Sequence, residues 1–220
     1  MFNVKSRKSN RTGNGMYDTI NSRTYNAILG GTILYGFLIN ALIVAFATPL
    51  IAKISPITIL IGYFVSCIAG SIMANKSKNP VVSFIGYNLI VAPIGVLLAI
   101  CLPSYGADKI LLAVLLVGVV TVIMLVASTI FPKFFSNLGI ALFLSLLIGI
   151  IVEIVATLLG YRGDIFNWIF VVIFSLYIGY DWHKAQEYTK TVDNAIDSAI
   201  DLYLDLINLF VRILDLLDNN

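Results

Sequence analysis

Charge is scarce in this chain. Of its 220 residues only 12% are Asp, Glu, Lys or Arg, against 59% hydrophobic residues and a mean hydropathy of +0.94. A water-soluble domain of this size cannot carry that composition on its surface, so an integral membrane protein is expected. Histidine is nearly absent: His183, in a loop-side WHK, is the only one and reads as a solvated interfacial residue. That excludes a two-histidine metal site, and it leaves Ser71, Ser83 and Ser145 without a base for a nucleophilic triad. Cysteine is limited to Cys67 and Cys101, in or at the end of apolar runs, where thiols behave as small hydrophobes. The 14 basic and 12 acidic side chains nearly cancel, so no nucleic-acid partner is expected. No glycine-rich loop opens a helix to cradle phosphate.

What the chain has instead is long apolar runs, at roughly 26–52, 56–74, 81–102, 109–130, 138–159 and 165–181, with a seventh segment at 194–217. Each is long enough to cross about 30 Å of hydrocarbon. Pro49, Pro56, Pro80, Pro103 and Pro132 fall near the ends of runs, where a missing amide donor costs least, and Pro93 alone lies inside one. The connections are short, except for WHKAQEYTKTVDN before the last segment. The expected fold is an all-α membrane protein: one seven-transmembrane-helix bundle over residues 25–220, with the last, acidic helix at its centre.

Residues 1–24 are polar, carry Lys5, Arg7, Lys8, Arg11 and Arg23, and contain no apolar core of signal-peptide length. They read as a mobile basic cytoplasmic tail, with the first membrane helix as an uncleaved targeting signal. Placing the N-terminus inside puts those five cations together with Lys76, Lys78, Lys133, Lys184 and Lys190, while Lys53, Lys109 and Arg162 fall outside. The positive-inside rule favours that orientation.

The last segment, DNAIDSAIDLYLDLINLFVRILDLL, places Asp193, Asp197, Asp201 and Asp205 at every fourth position. A carboxylate at the centre of a bilayer helix costs about 2.5 to 3.5 kcal/mol on insertion scales. A step of four advances about 40° around a helix, so Asp197, Asp201 and Asp205, followed by Asn208, Arg212 and Asp215, keep to one arc roughly 80° wide. A surface-lying amphipathic helix has a broad, cationic polar face instead. The narrow acidic stripe is expected to face a wet interior between helices. Two further acids stand at membrane depth, Asp181 in FSLYIGYDWHKAQ and Glu153 in LLIGIIVEIVATLL. Two carboxylates brought together share protons and titrate as a pair. Deprotonated, such a pair offers hard oxygen ligands suited to Ca²⁺, and protonated it can close a hydrogen bond between helices.

The segments GYDWHKAQ and AIDLYLDLINLF resemble the closing signature of the transmembrane Bax inhibitor motif family. Its bacterial members are small seven-helix proteins regarded as pH-sensitive calcium leak channels. The resemblance implies a di-aspartyl pH sensor at Asp181 and Asp205; the spacing of the last helix adds Asp201 as a possible calcium ligand, and Asp197, Asn208 and Arg212, with Glu153, make a secondary polar stripe. Some relatives place a latching arginine near the cytoplasmic end of the second helix, where this chain offers Lys76 or Lys78. Relatives with an acid inside that helix have no counterpart in ITILIGYFVSCIAGSIM. Counting rise from the helix ends, about 9 Å to Asp181 and about 17 Å to Asp205, would make Asp201 the better partner in depth, whereas the family pattern favours Asp205.

The expected function is therefore a calcium leak gated by the two aspartates, with the lipid bilayer, calcium ions and protons as partners, no organic cofactor, and a bacterial plasma membrane as the favoured location. A non-conducting membrane regulator or scaffold is the alternative, and secondary transport of protons or small solutes a further one. Intramembrane aspartyl proteases also carry two membrane aspartates, but with GxGD on the later helix; here the run is LYLD, and no enzymatic activity is expected.

Overall fold

The computed structural model describes residues 18–161 and 163–219; most of the expected tail, and Arg162, lie outside the described residues. Among the described residues the chain is almost entirely helical, with no strand. Helix α1 (Ser22–Leu42) starts where the Asn21 side chain accepts a hydrogen bond from the Thr24 amide at 2.8 Å. The Ile20 amide donates to the Lys190 carbonyl at 2.8 Å. The tail expected to reach residue 24 thus gives way to helix at Ser22.

Beyond α1 the helix widens into a π-turn, Ile43–Ala47, before α2 (Thr48–Ile51). Pro49 explains the widening. Its ring crowds the carbonyl four residues back and it has no amide hydrogen, and a wider turn relieves both conflicts. Thr48 Oγ1 donates to the Val44 carbonyl at 2.6 Å inside this turn. The chain continues with α3 (Pro56–Lys76), α4 (Pro80–Cys101), α5 (Ala107–Ile130), α6 (Pro132–Ser136), α7 (Gly139–Leu158), α8 (Ile165–Glu187) and α9 (Val192–Asp218). Pro56, Pro80 and Pro132 each occupy the opening position of a helix, where a fixed φ helps and no amide is needed. Helix α4 runs unbroken through Pro93.

Two connections differ from expectation. FPKFFSN contains the short helix α6, and the supposed long loop before the last segment is mostly helix, because α8 continues through WHKAQE to Glu187. That stretch has no Gly or Pro to stop it, and Lys184 lies over the Tyr180 ring one turn earlier, 4.8 Å from its centroid. Only residues 188–191 connect α8 to α9. Thr191 caps α9 by accepting from the Asn194 amide at 3.1 Å.

Six helical segments are long and apolar enough to cross a membrane: Ser22–Ile51, Pro56–Lys76, Pro80–Ser104, Ala107–Ile130, Gly139–Leu158 and Ile165–Glu187. The chain is a multi-pass membrane protein. The expected seventh, α9, has the length, 27 residues, but too much charge to qualify by composition. Its surroundings differ accordingly. Ile140 and Leu158 of α7 are 79% and 81% exposed, as lipid-facing residues should be, whereas Asp197 and Asp205 of α9 are 3% and 7% exposed.

The described residues divide into two compact units, 18–104 with 187–200, and 105–186 with 201–219. In the first, α3 and α4 approach through glycines. A Cβ added to Gly70 would strike the Gly86 carbonyl, and one added to Gly86 would lie 2.7 Å from the Gly70 carbonyl. Small residues permit this contact, and Ser66 Oγ adds a hydrogen bond to the Leu89 carbonyl at 2.6 Å. The buried Tyr25 and Tyr87 hydroxyls are satisfied, by Ser198 Oγ at 3.0 Å and by donation to the Thr32 carbonyl at 2.8 Å.

Candidate functional site

The second unit contains the first half of the candidate site. Asp205, on α9, faces Asp181, on α8, closely enough for a hydrogen bond between the two carboxyl groups, and Asp201 adds its charge one turn earlier on the same helix. A bond between two carboxyl groups requires a proton on one of them, because a carboxylate accepts and cannot donate. A pair so placed can share a proton. Asp205 Oδ2 has no hydrogen-bond partner among the described residues. Tyr177, one turn before Asp181 on α8, stands within electrostatic reach of both aspartates and of Tyr180. Asp205, the partner that the family pattern favours, is within hydrogen-bonding reach of Asp181, and Asp201 acts on the same site through its charge.

Two turns further along α9, Arg212 meets the remaining membrane acid. Its Nη1 and Nη2 donate to Glu153 Oε1 and Oε2 at 2.5 and 2.8 Å, Nη1 also donates to Asn167 Oδ1 at 3.0 Å, and the guanidinium lies 4.2 Å from the Phe170 ring centroid. A bidentate pair of this kind is directional and about twice as strong as a neutral hydrogen bond. The end of α9 is tied down around it. Tyr105 Oη donates to Asp215 Oδ1 at 2.6 Å, Lys109 pairs with Asp218 at 3.0 Å, and Asn219 Nδ2 donates to Asp164 Oδ1 at 2.6 Å.

The first unit holds the beginning of the aspartate ladder. Asp193 accepts from Ser83 Oγ at 2.7 Å, and Asp193, Asn194, Asp197 and Ser198 are all buried. Lys190 lies 4.3 Å from the Tyr25 ring centroid, and burial pulls its ammonium below the ordinary lysine range. Lys76 and Lys78, the candidate latch cations, are both exposed in this unit.

One member of the expected inward stripe is misplaced. Asn208 is exposed, and its Nδ2 donates back to the Leu204 carbonyl of its own helix at 2.7 Å. Its azimuth agrees with the stripe, but it is exposed, as is Val211, one turn on. Among the described residues no group of three or more His, Cys, Asp or Glu side chains is disposed to hold a metal ion, so Asp181, Asp201 and Asp205 do not form a ready-made calcium cage.

Tyr177, Asn167, Phe170 and Tyr105 also belong to these clusters. Asn167, in IFNWIF, was the only one with a visible signal, a polar amide inside an apolar run. The others are aromatic residues whose partners lie far away in sequence.

Two proteins of Helicobacter pylori, from strains 26695 and J99 and both described as uncharacterized, are 33% identical to this chain over 87 residues. That match spans 37% of this chain and 36% of each relative's length. Residues 18–220, which include both aspartates and the Arg212 cluster, match the family described as inhibitor of apoptosis-promoting Bax1, and the chain belongs to that family.

Proposed function

We propose that this protein is a pH-sensitive calcium leak channel, multi-pass in a bacterial plasma membrane with its N-terminus in the cytoplasm, and that Asp181 and Asp205 form its gate. The observation that carries this reading is the buried Asp205 carboxyl bonded to that of Asp181 at the ends of the family signature. With one proton between them, the two groups make a charge-assisted O–H···O⁻ bond, which clamps α8 to α9. A second proton in acid removes the negative charge, leaving a weaker neutral contact that lets the helices part. Tyr177 beside the pair supplies a polar surface without a competing charge.

Calcium is cargo in this scheme. Two carboxylates with a third one turn away give too few oxygens for a resident ion, which takes six to eight. The protein is not proposed to be an enzyme.

The test is Ca²⁺ flux into proteoliposomes between about pH 8 and about pH 5, a range spanning ordinary and strongly perturbed carboxyl titration. Wild type is expected to conduct more in acid. Asp205→Asn replaces the shared proton with a permanent amide donor, so its flux should vary less than about twofold over that range. A variant that keeps the wild-type pH profile removes Asp205 from the gate, and a folded wild type without flux at any pH favours a non-conducting regulator.

A further inference from the structure

Arg212 is held by each kind of group that recognises a cation. Glu153 gives two carboxylate oxygens, Asn167 gives an amide oxygen at 3.0 Å, and Phe170 gives a ring face 4.2 Å away. All three come from α7 and α8, and Arg212 alone comes from α9. A structural ion pair needs only the carboxylate. The amide oxygen and the aromatic face complete a lining that would also receive a cation not attached to the chain. Gly149 shapes the same lining: a Cβ there would lie 3.1 Å from Phe170 Cζ, so the ring is set against a helix that offers no side chain at that point. The cluster is not sealed, since the Arg212 and Glu153 side chains remain 22% and 27% exposed.

We propose that Glu153, Asn167 and Phe170 form a cation-recognition site which Arg212 fills from within as a tethered guanidinium, so that withdrawing Arg212 opens it to a free planar cation of the guanidinium class. The donor set selects that class over calcium. Three oxygens are too few for Ca²⁺, whereas a flat cation with forked N–H donors matches a carboxylate edge and stacks on a ring. The site stands independently of the aspartate gate, seven residues and about 10 Å along α9 from Asp205.

The experiment uses the full chain in detergent, carrying Arg212→Ala, and follows thermal unfolding against low-millimolar guanidinium chloride, with sodium chloride matching the ionic strength. Arg212→Ala should unfold below wild type and regain about 3 °C, saturably, at about ten times the dissociation constant of the added ion. Wild type and the Glu153→Gln/Arg212→Ala double variant should show no such gain. Absence of a saturable rise in Arg212→Ala, or an equal rise in the double variant or with sodium, overturns the proposal. Should Arg212→Ala not fold alone, recovery of folded protein during extraction with guanidinium present supports the site, and failure to recover any under that condition overturns it.

Discussion

Replacing Glu153 with glutamine keeps the side chain's shape and removes only its charge, leaving the Arg212 guanidinium with Asn167, Phe170 and no counter-ion. Breaking a fully buried pair by removing one partner costs about 3–5 kcal/mol. Here 22% of the arginine and 27% of the glutamate side chain are exposed, so water or lipid headgroups recover part of that cost. About 2–3 kcal/mol remains after that discount. For a chain of this length each kcal/mol corresponds to about 2–4 °C, so the melting temperature should fall by about 4–12 °C. Thermal unfolding in detergent measures this, and a double-mutant cycle with Arg212→Gln isolates the pair. Because the double variant leaves no stranded charge, it should be more stable than the sum of the single losses predicts, by about 1–3 kcal/mol. The Lys109–Asp218 pair is the internal control, since with side chains 34% and 45% exposed its loss should cost less than about 1 kcal/mol. A Glu153→Gln protein melting within about 1 °C of wild type would refute the reasoning, because it would mean that the membrane arginine needs no partner.

Two further outcomes concern the first unit. Gly70→Val should separate α3 from α4 and cost about 1–3 kcal/mol or more in unfolding experiments, because its Cβ meets the Gly86 backbone, which cannot rotate away; Gly62→Ala, with nothing within 4 Å, should be neutral or slightly stabilising. Burial holds the Lys190 pKa below 10.5, so between the lowered and ordinary values the unfolded chain binds more protons than the folded one. Stability should therefore rise with pH through that window, and Lys190→Met should flatten the slope of melting temperature against pH; an unchanged slope would assign the effect to another group.

Much of this architecture is legible without coordinates because membrane helices obey two strong constraints, apolar length and breaker position. Pro56, Pro80 and Pro132 open helices where the sequence places them, and the apolar runs agree with the observed spans to within a few residues. The errors arise where those constraints are silent. WHKAQE is polar enough to resemble a loop, but nothing in it terminates a helix, so α8 continues to Glu187. The composition of α9 does not identify it as a span, since a buried helix can keep charges that a lipid-facing one cannot.

From sequence alone came the membrane class, the approximate positions of the apolar helices, the scarcity of charge, and a local signature that singled out Asp181 and Asp205. Periodicity supplied the azimuth of each polar residue on its helix, which depends only on the angle per residue. Tertiary structure decided which acid meets which partner: Asp205 with Asp181, Glu153 with Arg212 across 59 positions, and Asn208 turned outward although it shares their arc. An angle around one helix says nothing about which neighbour stands at a given height, and in a low-dielectric interior that neighbour determines whether a charge is tolerated.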